Sequence, residues 1–514
     1  MIAVLLVVVL LVVGAIHWYL WKRLVKDTTH SRRARIAGSV VAVLLALVIP
    51  VTLALSRALP LSKQPIVAWP GFLWLALMFY LLVTLLILEI PRLAIRLWQR
   101  RSTPAPATPA RAAAPSPAAA SAPPAAVSAP PAVSAPPAAV SAPPAVSAPP
   151  AVSAPPAAVS APPAVSAPPA VSAPPAVSAP PAASAVSALP DSDLADPNVS
   201  ANSADISDND VREAGQTGRN GAGADGTEAG GTGSRAVEPG FDASRRLLLG
   251  RSLAVTAGVL SAGAVGIGVY QAKSAPNLKY VPIGLKKLPA SMNGFRIAVV
   301  SDIHLGPLLG RSHTERIVRM INSVDADLVA VVGDLVDGSV AELGSAAEPL
   351  QDLRGKHGSF FVTGNHEYFS GFQEWVDEVN SLGVRVLRNE RVDILGLDLA
   401  GVNDLSGEDV GDGPDFGKAL DGRDSSRPVV LLAHQPVQAH DAAKHGVDLQ
   451  LSGHTHGGQM VPFNLLVGLQ QPVVAGLGNV DGTQVYVTRG AGFWGPPVRF
   501  GAPPDISIVE LHGA

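Results

Sequence analysis

Residues 295–304 read FRIAVVSDIH, a short apolar run that ends in a polar cluster containing Asp302 and His304. Four further segments end in the same way: ADLVAVVGDLVDG (326–338), SFFVTGNHE (359–367), RPVVLLAHQP (427–436) and VDLQLSGHTHGGQ (447–459). Short continuous apolar runs are typical of strands buried on both faces. Helices are predicted between them at 314–322 and 373–382, so the pattern indicates an α/β fold. Because such sheets collect ligand groups at the carboxyl ends of their strands, we expect the five polar clusters to converge.

The polar clusters supply a set of candidate metal-binding and catalytic side chains. They are Asp302, His304, Asp334, Asn365, His366, His434, His454 and His456. Imidazole and carboxylate donors without thiolate suit Mn, Fe, Zn or a similar transition metal. One carboxylate can bridge two cations, and such a pair holds the attacking and leaving oxygens of a phosphoryl transfer. Gly333 and Gly453, beside candidate ligands, permit close approach of the backbone.

The ordered motifs SDIH, GDLVDG, GNHE, AHQP and GHTHGGQ resemble the calcineurin-like metallophosphoesterase superfamily. The resemblance covers roughly residues 290–513, with every ligand motif present and in order. The strings GDLVDG, GNHEYFSG and SGHTHGGQ, and the tail RGAGFWGPPVRFGAPPDISIVEL (489–511), are similar to its membrane-associated bacterial branch. The resemblance implies a two-sheet sandwich with helices on both outer faces.

The resemblance also implies roles for the motif residues. One metal ion is expected on Asp302, His304 and His456, and a second on Asn365, His434 and His454, with Asp334 bridging the pair. A metal-bound hydroxide is expected to attack phosphorus. His366 is expected to protonate the leaving oxygen or to stabilise the charge of the transition state. The cofactors implied are two divalent ions, and the enzyme is expected to be a dinuclear phosphoesterase acting on monoesters or diesters.

Other polar residues of this region are given supporting or surface positions. Asp337 is expected in a turn or behind the ligands, and Glu367 is expected to support the GNHE loop. Arg489, Trp494 and Arg499 face the substrate phosphate or the membrane in one interpretation, and have packing or turn roles in the other. The histidines outside the motifs are expected at the surface or in turns: His313, His357, His440, His445 and His512.

The composition indicates membrane spans upstream of this domain. Only 15% of the residues are charged, against about 25% in soluble domains. Apolar runs long enough to cross a bilayer occupy residues 2–21, 36–59, 66–90 and 247–270. A cleaved signal peptide is the alternative for the first run. The string SRRLLLG (244–250) before the fourth resembles a twin-arginine export signal, and a plain membrane anchor is the alternative.

These observations divide the chain into four regions. They are a membrane region with three transmembrane helices (1–101), an Ala/Pro/Ser-rich linker (102–243), a fourth transmembrane helix or signal-anchor (244–272) and the metallophosphoesterase domain (276–514). The linker repeats SAPPAVS or SAPPAAVS, and its proline pairs predict polyproline II segments followed by disorder. It is interpreted as a spacer, with a docking site for a proline-binding partner as the alternative.

The distribution of basic residues predicts the orientation. Six Lys or Arg lie between residues 22 and 35 and four between 92 and 101, but only Arg57, near the end of the second run, and Lys63 lie in the region that joins the second run to the third. The positive-inside rule therefore places the first and third loops in the cytoplasm. Four spans then leave the domain after Tyr270 outside the cell membrane, and loss of the fourth span would turn it inward.

Composition excludes some functions and leaves others open. The absence of cysteine excludes disulfides, zinc–thiolate sites, iron–sulfur clusters and a thiol nucleophile. A net charge of −3 argues against a nucleic-acid partner. The expected substrate is a phosphoester, and the membrane location favours a phospholipid or cell-envelope precursor. The alternatives are a nucleotide or nucleic-acid phosphodiesterase, and a metal-binding membrane scaffold or sensor.

Overall fold

The structure, a computed structural model, describes residues 2–102 and 239–514. The predicted repeat and almost all of the predicted linker lie outside the described residues. The N-terminal part and the segment after the linker form four helices: α1 (Ile2–Trp21), α2 (Arg32–Ala58), α3 (Gln64–Ser102) and α4 (Pro239–Lys273).

Three helical segments are long and apolar enough to cross a membrane. They are Arg32–Ser56, Leu61–Ala94 and Leu247–Lys273. The first apolar run forms the 20-residue helix α1, and its crossing of the bilayer stays a prediction, as does the predicted division into four regions.

One end of the helical bundle is held together by charged side chains. Arg23, in the turn after α1, lies 2.8 Å from Asp27 and 2.9 Å from Glu89 on α3. Arg92 on α3 closes the network, 3.2 Å from Glu89 and 3.6 Å from Asp27. Arg251 on α4 donates to the backbone oxygen of Thr28 at 3.1 Å. The helix ends that carry most of the basic residues therefore meet at one place.

The C-terminal region contains two six-stranded mixed sheets. Its strands are β1 (Asn277–Leu285), β2 (Phe295–Val300), β3 (Leu328–Val332), β4 (Ser359–Val362), β5 (Arg385–Val386), β6 (Glu390–Ile394), β7 (Leu397–Gly401), β8 (Val429–Leu432), β9 (Leu449–Ser452), β10 (Gly476–Val480), β11 (Thr483–Val487) and β12 (Asp505–Gly513). The first sheet has the order β1-β12-β2-β3-β4-β5, and the second β10-β11-β9-β8-β7-β6. The five motif strands β2, β3, β4, β8 and β9 form where the sequence predicts them.

The α-helices of this region are short. They are α5 (Arg311–Asn322), α6 (Val340–Ala347), α7 (Asn365–Ser370), α8 (Phe372–Ser381), α9 (Phe416–Leu420), α10 (Ala439–Lys444) and α11 (Asn464–Val467). Helices α5 and α8 match the two predicted helices to within three residues at each end.

The side chains of each strand point alternately to the two faces of its sheet, and this alternation forms the layers of the fold. On β2, Ile297 and Val299 pack into the core between the two sheets, whereas Ala298 and Val300 pack with helices such as α5 and α8. The outer face of the second sheet packs against α9 and α10. Because neighbouring strand residues point to opposite faces, central strands such as β2, β3, β4 and β8 contribute to two cores. The predicted sandwich of two sheets with helices on both outer faces is confirmed.

The C-terminal domain also packs directly against the apolar helices. The backbone N–H of Arg499 donates to the carbonyl oxygen of Gly268 on α4 at 2.9 Å. Val498 is buried with Ala76 and Tyr80 of α3, and the rings of Tyr80 and Phe500 lie 5.6 Å apart. The segment 498–500 therefore docks on α3 and α4.

Candidate metal centre

The motif side chains turn inward on unusual backbone. Five of the predicted ligands have left-handed backbone, with φ between 50° and 72°. They are Asp302, His304, Asp334, His454 and His456. A left-handed conformation is uncommon for residues other than glycine, and its cost is tolerated mainly at functional sites. These tight turns follow β2, β3 and β9 and bring the polar side chains back over the ends of the strands.

The first group of donors is formed by Asp302, His304 and His456, all of them buried. The Nε2 atoms of His304 and His456 lie 3.0 Å apart. Asp302 Oδ1 lies 3.4 Å from His456 Nε2 and 4.0 Å from His304 Nε2. Three donor atoms from the turns after β2 and β9 thus face one point.

The second group contains Asp334, His434 and His454. Asp334 Oδ2 lies 3.1 Å from His434 Nε2 and 3.8 Å from His304 Nε2, so this oxygen stands between the two groups. Asn365 Oδ1 lies 3.0 Å from His454 Nδ1 and adds an amide oxygen. The structure therefore brings all seven predicted ligands together at one edge of the two sheets.

The surroundings of His434 show that these residues suit a cation. Its Nδ1 donates to the carbonyl oxygen of Val332 at 2.8 Å, which directs Nε2 toward Asp334 Oδ2, 3.1 Å away. Nε2 is buried and has no hydrogen-bond partner among the described residues. Burial lowers the pKa of His434, but the charges of Asp334 and Asp302 outweigh it and raise that pKa well above its usual value. The site thus demands positive charge between the imidazole and the carboxylate, and its N and O donors suit a transition metal.

The glycines of the motifs are required by close packing. A Cβ on Gly453 would lie 1.8 Å from Ser301 Oγ and 2.5 Å from Asp302 Oδ2. A Cβ on Gly333, where φ is +75°, would lie 2.6 Å from His434 Nδ1. Both glycines therefore allow the backbone to approach the ligands, as the sequence predicts.

Asp337 joins two imidazoles of the site. Its Oδ1 lies 2.9 Å from His304 Nδ1 and 2.6 Å from His366 Nδ1. Burial would raise the pKa of Asp337, but the two imidazoles lower it to about 2. Burial lowers the pKa of His366, yet Asp337 and the charge of Asp334 raise it to about 9. Asp337 therefore orients both histidines from behind, in the supporting position that the sequence predicts.

Glu367 supports the turns that carry other predicted ligands. It is fully buried, and its carboxylate accepts from the backbone N–H groups of Asp334 (3.0 Å), Leu335 (2.8 Å) and Gly364 (2.6 Å). Three charge-assisted hydrogen bonds of this kind hold the loops after β3 and β4 in one geometry. The predicted supporting role of Glu367 is confirmed.

The contacts of Arg499 decide between the two interpretations for this one residue of the tail. Its guanidinium is fully buried and donates to the backbone oxygens of Gly492 and Arg489, each at 2.7 Å, and to Nδ1 of His456 at 3.0 Å. Arg499 therefore packs behind a predicted ligand and does not face a substrate. Arg489 is half-buried, and Trp494 is largely exposed.

The histidines of the C-terminal domain that lie outside the motifs are at the surface or half-buried, with one exception. His313 on α5 is buried, so its predicted surface position is wrong. It stands four residues before Ile317 and eight before Ile321, on the buried face of the helix. The four-residue spacing of His313, Ile317 and Ile321 indicates one face of a helix, and this pattern could have predicted the burial of His313 from the sequence.

Comparisons with known proteins give the same family as the motifs. A family model described as calcineurin-like phosphoesterase matches residues 295–458. An uncharacterized metallophosphoesterase of Helicobacter pylori is 42% identical over 247 residues, which cover 48% of this chain and 66% of the relative. A Danio rerio transmembrane protein with metallophosphoesterase domain is 40% identical over 274 residues, covering 51% of this chain and 63% of the relative. An uncharacterized metallophosphoesterase of Aquifex aeolicus is 36% identical over 236 residues, covering 45% of this chain and 90% of the relative. The chain spans just under two thirds of the first two relatives.

Proposed function

The chain belongs to the calcineurin-like phosphoesterase family, and from this membership and the site geometry we propose that it is a membrane-anchored, metal-dependent hydrolase of phosphomonoesters or phosphodiesters. The observation that carries the proposal is the position of Asp334, whose Oδ2 faces His434 on one side and His304 on the other. A carboxylate between two donor groups is the arrangement expected of a bridged pair of ions.

We propose two metal sites. Asp302, His304 and His456 would hold one ion, Asn365, His434 and His454 the other, and Asp334 both. Divalent ions bound there supply Lewis acidity that polarises a phosphoryl oxygen and lowers the pKa of a water molecule. The protein's own contribution is to fix the donors, through the left-handed turns, the buried Glu367 carboxylate and the Arg499 guanidinium.

His366 is the proposed catalytic acid. Its ring is partly exposed, and the protonated imidazole is the form that can donate to a leaving oxygen. Its Nδ1 is directed to Asp337, so Nε2 is the atom left to move a proton. Asp337 acts as the positioning residue, since it holds the rings of His304 and His366 together.

We further propose that the chain crosses the membrane four times and carries the hydrolase domain on the outer face. The network of Arg23, Asp27, Glu89 and Arg92 supports this, because it gathers the basic flanks at one end of the bundle. The contact of Arg251 with Thr28 supports a fourth helix that stays in the bundle and is not cleaved.

The direct test uses the full-length protein in detergent, stripped with a chelator and reloaded with Mn²⁺ or Zn²⁺. We expect about two ions per chain by plasma mass spectrometry, and hydrolysis of nitrophenyl phosphate or bis(nitrophenyl) phosphate that depends on the ions. Binding of both ions without hydrolysis of either ester would favour a metal-binding scaffold or sensor instead.

A further inference from the structure

An apolar segment directly follows the GHTHGGQ motif. Residues 460–469 read MVPFNLLVGL, with Asn464 as the one polar side chain, and they include α11. We call them the apolar loop. Four of its large side chains are exposed: Phe463, Leu465, Leu466 and Leu469. Contiguous exposed apolar side chains of this size mark a contact with a membrane or another apolar partner.

The apolar loop lies beside a helix that is apolar and long enough to span the bilayer. The ring of Phe463 packs edge-on against Phe79 of α3, with 6.3 Å between the centroids. Ten residues earlier on α3, Trp69 lies under the ammonium of Lys273, 5.3 Å away. Tryptophan and lysine are typical of the membrane interface. At 1.5 Å per residue, Phe79 is about 15 Å further along the helix than Trp69, which is hydrocarbon depth.

The same surface continues to the metal centre. The ring of His366 lies 5.9 Å from Trp494 and 5.8 Å from Phe369, and both of these aromatic side chains are largely exposed. The backbone N–H of Trp494 donates to Oε1 of Gln459 at 3.1 Å, and Nε2 of Gln459 donates to the backbone oxygen of Trp494 at 2.9 Å. Gln459 immediately precedes the apolar loop. A Cβ on Gly495 would lie 4.0 Å from the ring of Phe72 on α3. Trp494 and its neighbour Gly495 thus connect the surroundings of His366 to the apolar loop and to the spanning helix.

We propose that the apolar loop inserts into the bilayer beside α3, and that the metal centre takes its phosphoester from a lipid held in the same leaflet. This rests on the proposed function. The lipid phosphate would reach the donors near His366, while its chains stay in hydrocarbon against Trp494, Phe369 and the apolar loop. A water-soluble ester would make the contacts at phosphorus and lack those with the chains.

Insertion is tested without reference to activity. Because the chain has no cysteine, a single Leu469→Cys variant can be labelled with an environment-sensitive fluorophore and placed in phosphatidylcholine vesicles. Leu469 is 81% exposed, and Leu395, in the hairpin between β6 and β7, is 61% exposed and serves as the matched control. We expect blue-shifted emission and quenching by nitroxide lipids at position 469 only. Equal, water-like emission at both positions would overturn the insertion.

Substrate class is tested with the full-length protein loaded with Mn²⁺. One assay uses phosphatidylcholine vesicles carrying phosphatidic acid or phosphatidylglycerol, and the other uses nitrophenyl phosphate and bis(nitrophenyl) phosphate. The double variant Leu465→Asp/Leu469→Asp should lose at least about tenfold on the lipid esters, because charge in hydrocarbon is costly, and stay within about twofold on the soluble esters. Leu395→Asp should keep both activities.

The outcomes separate the two proposals. Hydrolysis of soluble esters without hydrolysis of either lipid would overturn the lipid assignment and leave the proposed function standing. Hydrolysis of neither class would overturn the proposed function and the lipid assignment with it. Full activity of the double variant on lipid vesicles would show that the apolar loop does not present the lipid, and equal loss on both substrate classes would do the same.

Discussion

Arg499 Nη2 lies 3.0 Å from Nδ1 of His456, and the backbone N–H of the same arginine donates to Gly268 of α4. The guanidinium contacts one ring nitrogen of His456, and the other, Nε2, faces Nε2 of His304 at 3.0 Å. Nδ1 of His304 in turn lies 2.9 Å from Asp337 Oδ1. One residue therefore links α4 to the orientation of a predicted ligand.

Arg499→Lys should weaken metal binding in the first site. Lysine keeps the charge but cannot reproduce the planar set of donors, so the orientation of His456 is lost. Loss of a residue that orients a ligand typically costs 10–100-fold in metal affinity, and we expect that range for one of the two ions. Competition with a fluorescent chelator measures it. Unchanged affinity at both sites, in a variant with wild-type circular dichroism, would contradict the role given to Arg499.

Asp334→Asn should lose metal and nearly all activity while the domain stays folded. The amide keeps the size of the side chain but removes the charge that faces His304 and His434. Metal content by plasma mass spectrometry and thermal unfolding in detergent are the measurements. Asp393→Asn, at a surface ion pair with Arg427, is the control. A variant at position 334 that retained two ions and near-normal turnover would refute the bridging assignment.

His366→Ala should keep both ions and a folded domain, while turnover falls by about 10²–10⁴-fold, the usual range for a lost general acid. The loss should be smaller for nitrophenyl esters than for alkyl esters, because a good leaving group needs little protonation. Equal losses for both would indicate phosphate binding, and loss of an ion would make His366 a ligand.

The side chains of the candidate metal centre could be predicted from sequence because each one follows a buried strand within a few residues. Such strand–turn units are local, and the convergence of parallel strand ends is a general property of these sheets. Arg499 could not be assigned in this way. It lies 43 residues after His456, and only the docking of segment 498–500 on α3 and α4 brings the two together.

Two further features have a recognisable pattern in the sequence. His313 has the four-residue spacing from Ile317 and Ile321 that indicates one helix face. The apolar loop shows ten residues with one polar side chain in the middle of a hydrolase domain. Neither pattern shows by itself whether the residues pack in the protein core or against a membrane, because both environments favour apolar side chains.

His313 should make the protein less stable in acid. Burial, with the nearby charges of Arg316 and Lys273, lowers its pKa to about 4, and its Nε2 has no partner among the described residues. Below the unfolded pKa of about 6.5 the unfolded chain binds a proton that the folded chain excludes, so stability falls as the pH drops from about 6.5 to 4. The contribution is about 2 kcal/mol by pH 5.

His313→Leu should therefore show a smaller drop in thermal unfolding temperature between pH 7 and pH 5 than the wild type. The exposed His440 supplies the control variant His440→Leu, which should follow the wild type. If the curves of all three proteins run parallel over this interval, His313 is not an acid-sensitive group.

The orientation of the chain is tested by protease added to intact spheroplasts. If the four helices span and the basic ends joined by Arg23, Asp27, Glu89 and Arg92 lie in the cytoplasm, the domain after Tyr270 is outside and should be digested. A tag inserted after residue 102, the last residue of α3, should stay protected until lysis. The full-length chain should persist in membranes, because α4 is joined to the bundle through Arg251 and Thr28. Protection of the C-terminal domain in intact spheroplasts would mean that an odd number of these helices does not cross, and release of a soluble domain would mean that the SRRLLLG segment is processed for export.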